Sequence, residues 1–501
     1  MKHVLIFSIL TSLVFKMYAQ QNLNAHFMAS EQNRQMTEIL ANPSLLHYSA
    51  DSSYADVCIF RKKEHFKGLY NITKGNKQDS YHFNAESIIK KDKSIVWGKA
   101  SYQNGKNENL RWNTTSDTER LYPYIVADTM GGNLHFEHYL FSGAYSRHIG
   151  RFSFGIRSDY RAGMEYRKLD PRPKNDISDL KLSIGTSLAL GTYRVGIHFA
   201  INKYQQQQHI KVFRPGSGIK IYYLRGMGIS DRRFSSVIKD NASAANYFDE
   251  NTQKYAFQFI SDKNNGFFGT FGYKTGEMEL TNSIADIIHC LDKEKINSEV
   301  GYQWKSKQKK ISCKIYASQQ ENKGTEYNYD LNGIVLSKQQ KYTRKLKKAG
   351  LAGIVSRKKT NKSLEFGTNI NLFSDEEQYY IAHNLPYAIQ KYKILNVSLF
   401  YGFNKQFAKA EIGAKCRTAF FYCADKEINT SNLAAKTCNE TLVVPNFNYI
   451  SSDKILLHLS LRYARRFNDK MGMYLQTSFS RYYVLKDKAI NIILPALGLV
   501  F

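Results

Sequence analysis

Residues 489–501 read AINIILPALGLVF and finish on an aromatic. An apolar strand that closes a chain on Phe has the form of the last strand of an outer-membrane β-barrel. The preceding segments agree. In ILLHLSLRYARRF (455–467), Leu457, Leu459, Leu461 and Tyr463 share one side of a period-2 pattern, with His458, Ser460 and Arg462 on the other. After Asn468, Asp469 and Lys470, MGMYLQTSFSRYY repeats the alternation through Met471, Met473, Leu475 and Phe479. A wall with hydrocarbon outside and water inside requires this pattern.

Composition and targeting narrow the class. The chain has 501 residues, with 71 Lys+Arg against 43 Asp+Glu and 35 Tyr. Its mean hydropathy of -0.47 argues against a bundle of membrane helices and is compatible with a barrel, whose wall meets lipid at alternate residues only. Residues 1–19 read as a signal peptide: Lys2 and His3 form the basic start, 4–15 the apolar run, and Ala19 the cleavage point. No later run approaches the ~20 apolar residues of a membrane helix. The expected address is the outer membrane. Cys58, Cys290, Cys313, Cys416, Cys423 and Cys438 match no zinc or thioredoxin spacing. Cys313 and Cys416 read as small wall residues, and Cys423 with Cys438 as a candidate loop bridge. The basic clusters KSKQKKISCK (305–314) and YTRKLKK (342–348) lack a recognition helix or stacking module, so nucleic acid is not an expected partner. Outer-membrane lipid and lipopolysaccharide, a lumen, or loop surfaces suit them better.

Residues 20–70 differ in kind: a short helix within 33–46 ending near Pro43, then a candidate strand at 55–60. They are expected to form a periplasmic cap, a plug or the first strands. Residues 71–501 read as the barrel. The clearest pair in the first half is 180–190 with 193–201; 219–225 reads as a shorter wall strand. Residues 230–251 and 281–295 read as loops, the latter with a helical turn at 283–291, and 430–444 as an irregular excursion. The expected fold is all-β: a transmembrane antiparallel β-barrel of about 16 strands, with 14–18 fitting, long loops outside and short turns on the periplasmic side. A soluble sandwich also alternates, but the strand number exceeds one sandwich, and Gly155, Gly196, Gly367 and Gly413 recur on the polar side.

The most specific local feature is RSDYRAGMEYRKLDPRPK (157–174). Arg157, Asp159, Arg161, Glu165 and Arg167 share one strand register and are expected on the lumen face, paired among themselves or with neighbouring strands. Asp170, Pro171, Arg172 and Pro173 then end the strand. The stretch 160–175, with Tyr160, Tyr166 and the DPRP run, resembles a signature of an uncharacterised family of outer-membrane barrels from Bacteroides-like bacteria, a domain of unknown function. The resemblance covers almost the whole mature chain. It implies a surface barrel whose genes tend to accompany a TonB-dependent receptor and a lipoprotein, with no enzyme activity and no named substrate; no cofactor is expected.

Catalytic signals are weak. There is no GxSxG context and no HExxH. Alternation splits His135 from His138 around Glu137, which disfavours a metal pair, and only sequence proximity joins His138, Ser142 and Asp128. A non-enzymatic barrel that passes or binds a polar or anionic solute is the expected function, with an accessory barrel in a surface complex as the alternative and an outer-membrane hydrolase as the weakest reading.

Overall fold

The computed structural model describes residues 36–49, 52–214, 218–231, 236–237, 243–263, 265–283, 286–330, 334–382, 385–430, 438–468, 471–484 and 490–500. The signal peptide expected at 1–19 and the terminal Phe501 lie outside them. The strands in chain order are β1 (Tyr54–Phe66), β2 (Lys77–Lys90), β3 (Ser94–Leu110), β4 (Tyr124–Asp128), β5 (Gly132–Ile149), β6 (Phe152–Arg167) and β7 (Arg172–Leu190). There follow β8 (Tyr193–Lys211), β9 (Lys220–Arg225), β10 (Ser236–Val237), β11 (Ser243–Ser261), β12 (Asn265–Asn282), β13 (Ile287–Lys305) and β14 (Lys309–Tyr329). The last seven are β15 (Val335–Lys359), β16 (Lys362–Ala382), β17 (Leu385–Gln406), β18 (Ala410–Asn429), β19 (Lys454–Arg466), β20 (Gly472–Val484) and β21 (Ile490–Val500).

Eighteen of these form one antiparallel sheet in which each strand pairs with its sequence neighbours in the wall. The sheet closes where β21 pairs with β1, from Asp56↔Val500 to Phe66↔Ile490. Closure leaves no edge with unpaired backbone groups. The wall has 18 strands rather than about 16. β2 lies in a stretch where the sequence reading places no strand, and β13 starts inside the expected loop at 281–295, so that strand is longer than expected. In the other direction, 219–225 is not wall: β9 joins β4 and β10 in a separate three-stranded sheet. The expected loop at 230–251 also contains the first half of β11. All six cysteines are free thiols, so Cys423 and Cys438 do not bridge.

Two insertions pack against the inner wall. At the end where the described residues begin, α1 (Thr37–Leu40) leads into a 3-10 turn, Pro43–Tyr48. Ile39 and Leu45 pack on Ile260 and Phe268, and Asn42 Nδ2 donates to Ile197 O (3.2 Å) and Gln258 Oε1 (2.9 Å). Gly185 and Gly155 make room for this turn, because a Cβ at either would meet residues 42–44. From the opposite end, the β3–β5 connection enters with α2 (Thr118–Leu121) and β4, and the β8–β11 connection enters with β9. The β18–β19 connection adds a π-helical turn, Asn439–Val443, and α3 (Val444–Ile450). Their side chains share one dry core that includes Trp112, Leu121, Tyr124, Val126, Ile221, Leu224 and Leu442.

The insert changes how the wall alternates. Along the N-terminal-end half, large apolar side chains are exposed on the outer face of every wall strand, from Ile59 on β1 through Ile184, Phe257, Ile315 and Phe366 to Leu497 on β21. Along the half that surrounds the insert, the pattern inverts. Phe248, Met278, Leu280 and Leu291 face inward and are buried in the insert's core, while Asp249, Glu277, Glu279 and Asp292 lie at outward positions. Thus β15, with 25 residues, carries two surfaces in succession.

Candidate functional site

The five charged residues of β6 all face the lumen, but they mostly bind the insert rather than one another. Arg157 makes a fork with Asp159 (Nε–Oδ2 2.8 Å, Nη2–Oδ1 2.7 Å) and lies over the Trp97 ring at 4.6 Å. Arg161 reaches across to Asp117 on the insert (Nη1–Oδ1 3.1 Å, Nη2–Oδ2 2.5 Å) and to Asp179 on β7 at 3.5 Å. Glu165 was expected to pair with Arg161 or Arg167. Instead it accepts from Ser116 Oγ (2.6 Å) and lies 3.1 Å from His138 Nε2. Arg167 pairs with Asp128, and both side chains are buried, at 3% and 0% exposure.

Asp117 sits where those contacts meet. Burial acts to raise its carboxyl, but the Arg161 guanidinium and the Tyr204 hydroxyl outweigh burial and hold it below the ordinary range. Arg120, one turn along, donates to Glu250 (2.7 Å) and Asp179 (3.0 Å) and lies over the Tyr204 ring at 4.1 Å. Across the lumen, Tyr122 donates to Glu377 and Arg225 to Glu326. The insert is therefore charge-matched to the wall on both sides of the lumen.

The remaining motif residues serve the loop end. Tyr160 and Tyr166 lie on the outward face; Tyr160 is exposed and Tyr166 stacks on His135 at 5.3 Å. Asp170 accepts from the backbone N–H groups of Phe213 (2.9 Å) and Arg214 (2.7 Å) and from Arg172 Nε (2.8 Å). Burial pushes its carboxyl up, yet these donors bring it below the usual carboxylate value. The Arg172 guanidinium covers the Phe213 ring at 4.4 Å. This stretch pins the exit of β8 to the β6–β7 connection. Pro171 and Pro173 flank Arg172, which is the first residue of β7, so the run opens the next strand as well as ending the last.

His135 and His138 lie on opposite faces of β5, and Asp128 is taken by Arg167 and by Gly131 N–H (2.8 Å). Ligand-type atoms converge at Glu277, Cys290 and Asp292, where the Cys290 thiol donates to Glu277 Oε1 at 3.0 Å.

One constellation escaped the reading along the chain because it runs across it. Lys254, Lys274 and Lys295 are direct partners on β11, β12 and β13, all on the inner face. Below the insert, a cavity of about 350 Å³ borders Lys295, at one end of the row.

The class is an eighteen-stranded closed antiparallel barrel whose lumen receives inserts from both ends. The chain belongs to a family of unknown function, DUF6850, matched over residues 43–498. No curated protein matches the sequence. Among solved structures it is similar to BauA, the ferric preacinetobactin receptor from Acinetobacter baumannii, at 10% identity over 90% of this chain and 80% of that one, with a TM-score of 0.43. It is also similar to the copper transporter OprC (6% identity, 90% and 80% covered, TM-score 0.41) and to the unliganded ferric citrate transporter FecA (8%, 90% and 79%, 0.38). At these scores the likeness says nothing about what this barrel carries.

Proposed function

We propose that this chain is an outer-membrane barrel, without enzymatic activity, that binds or passes a polar or anionic solute. One observation carries the membrane part: the exposed apolar side chains form a belt around a closed wall, with at least one on every strand. Burying each such side chain is worth about 1.5 kcal/mol or more, so leaving the whole belt in water would cost tens of kcal/mol. Lipid removes that cost, and a crossing needs only about 9–11 residues per strand, fewer than most of these strands have. The inversion of the outer face to Asp and Glu beside the insert fits a wall that leaves the membrane there, on the side of the long connections. The solute part is supported by the excess of Lys and Arg and by the inward placement of Lys254, Lys274 and Lys295.

A second reading is favoured by the occupied lumen. An accessory barrel in a surface complex, with a TonB-dependent receptor and a lipoprotein, needs no open channel. It is also what the resemblance of 160–175 to a Bacteroides-like signature implies. Fractionation tests the shared premise: the mature chain is expected in the outer membrane, soluble only with detergent, and heat-modifiable on gels. Recovery in the detergent-free soluble fraction would overturn both readings. Mild-detergent extraction then separates them, through a lone barrel or a barrel with a receptor and lipoprotein attached.

A further inference from the structure

We propose that Lys254, Lys274, Lys295 and Lys348 form a binding site for a solute bearing two or more anionic oxygen groups, between the N-terminal segment and the insert. The inference rests on the reading of the barrel as one that takes an anionic solute, and it names the site and the class of ligand. Its starting point is the register. Lys254 is the cross-strand partner of Lys274, and Lys274 of Lys295. Directly opposed side chains of one face have Cβ atoms about 4.5–5.5 Å apart, and like charges so placed are destabilising. Elsewhere in this lumen buried charges meet opposite ones, as at Arg167–Asp128 and Arg344–Asp375. Here three cations stand in line.

Their compensation is incomplete. Lys254 Nζ meets Glu38 Oε2 at 2.7 Å, but Glu38 belongs to α1 rather than to the wall and is 43% exposed. Neither Lys274 nor Lys295 makes an ion pair or a hydrogen bond among the described residues. The adjoining cavity is bordered by Glu38, Lys295, Lys314, Tyr316, Lys348 and Arg417. Lys314 is matched by Glu299 at 2.7 Å, whereas Lys348 lies over the Tyr316 ring at 5.4 Å and pairs with no carboxylate among the described residues. Glu38 reports the local field. Burial works to raise its carboxyl, and Lys254, Lys295 and Lys181 together hold it below the ordinary glutamate value. It thus acts as a resident anion at the rim of the site.

Ammonium groups are compact donors suited to phosphate or sulfate oxygens. A single negative charge would leave the row under-compensated, so the ligand carries at least two. A space of about 350 Å³ admits a small polyanion.

Titration of pyrophosphate into the full-length barrel in detergent micelles at low salt, followed by calorimetry, tests the site. Saturable binding is expected, with Lys274→Gln and Lys295→Gln each weakening it about tenfold, the scale of one charge-assisted hydrogen bond. Glu38→Gln removes the competing anion and is expected to strengthen binding severalfold. Lys345→Gln, a half-exposed lysine on the outer wall, removes the same charge elsewhere and should change nothing. Removing one of several like charges relieves repulsion, so the heat-modifiable band should persist; Lys348→Gln stands in for any variant in which it does not. Wild-type affinity in the lumen variants, an equal loss in Lys345→Gln, or no saturation would overturn the site. A barrel found in the outer membrane that ignores pyrophosphate sinks this inference alone, whereas a barrel absent from that membrane sinks the broader reading.

Discussion

Removing the carboxylate of Asp128 should loosen the insert from the wall. Arg167 and Asp128 are both essentially inaccessible to water, and Arg167 Nε and Nη1 have no hydrogen-bond partner among the described residues. A buried guanidinium that loses its counter-charge costs about 3–5 kcal/mol, because its desolvation remains while the attraction is gone. At 1.36 kcal/mol per decade, Asp128→Ala should raise the population of insert-open barrels by roughly 10²- to 10³-fold or more. Hydrogen exchange over residues 111–131 reads this directly, and planar-bilayer conductance reads its consequence. The double variant Asp128→Leu with Arg167→Met replaces the pair with apolar groups and should recover most of the loss, since such exchanges are often near neutral. If the single and double variants exchange equally fast, the pair is not what holds the insert at this point.

Further expectations follow from the same contacts. Glu165→Gln keeps a partner for Ser116 and leaves both neighbouring arginines paired, so heat stability on gels should fall by no more than about 1 kcal/mol. A collapse of the barrel would show that Arg161 or Arg167 depends on Glu165 after all. Asp117 titrates below its ordinary value in the folded barrel, so its stabilisation is complete above that value and is lost as pH falls through the depressed one. Asp117→Asn should therefore flatten the acid limb of thermal stability below about pH 4 and leave its shape at neutral pH unchanged. Asn42→Ala leaves Gln258 Oε1 without its donor and removes the bond to the buried Ser44 N–H, at about 1–3 kcal/mol, and should speed protease cleavage around residues 36–49 without altering the gel-shift temperature of the wall.

Where the sequence was legible, a single environment lay on each side of the strand. Leu457, Leu459 and Leu461 face outward opposite His458, Ser460 and Arg462, and the register of β19 with β20 follows from them. The stretch 281–295 misled for a physical reason. Ile288 and Leu291 serve a dry insert core, and Asp292 and Glu294 meet water on the outside. Apolar residues clustered at helical spacing thus belong to a strand. Residues 219–225 alternate like wall but are buried on both sides within the insert, Ile221 at 1% and Leu224 at 4%. The inward orientation of the β6 charges followed from period 2 alone. Their partners Ser116, Asp117 and Asp128 could not be read, because they arrive on a connection that looks merely polar. The lysine row was equally hidden: its members are about twenty residues apart in sequence and become neighbours only through the registers of two hairpins.

The changeover in the outer wall also explains why that row can exist. On β13, Ile296 and Val300 are exposed below Lys295, while Asp292 and Glu294 lie outward above it. On β12, Phe271 and Tyr273 precede Lys274, and Glu277 and Glu279 follow it. The lysines thus stand at the level where the apolar belt gives way to a hydrated surface. Three like charges at the middle of the belt would sit within a low-dielectric ring on all sides, where their mutual repulsion is strongest. At its edge, ions and water on the long-loop side can screen them, and the cluster of the insert's Arg120 with Glu250 and Lys293 of the wall caps them from above. A row placed for packing alone would gain nothing from being cationic at this level. Placed here, it sets a positive potential beneath the insert, where an anion that passes the insert would next arrive.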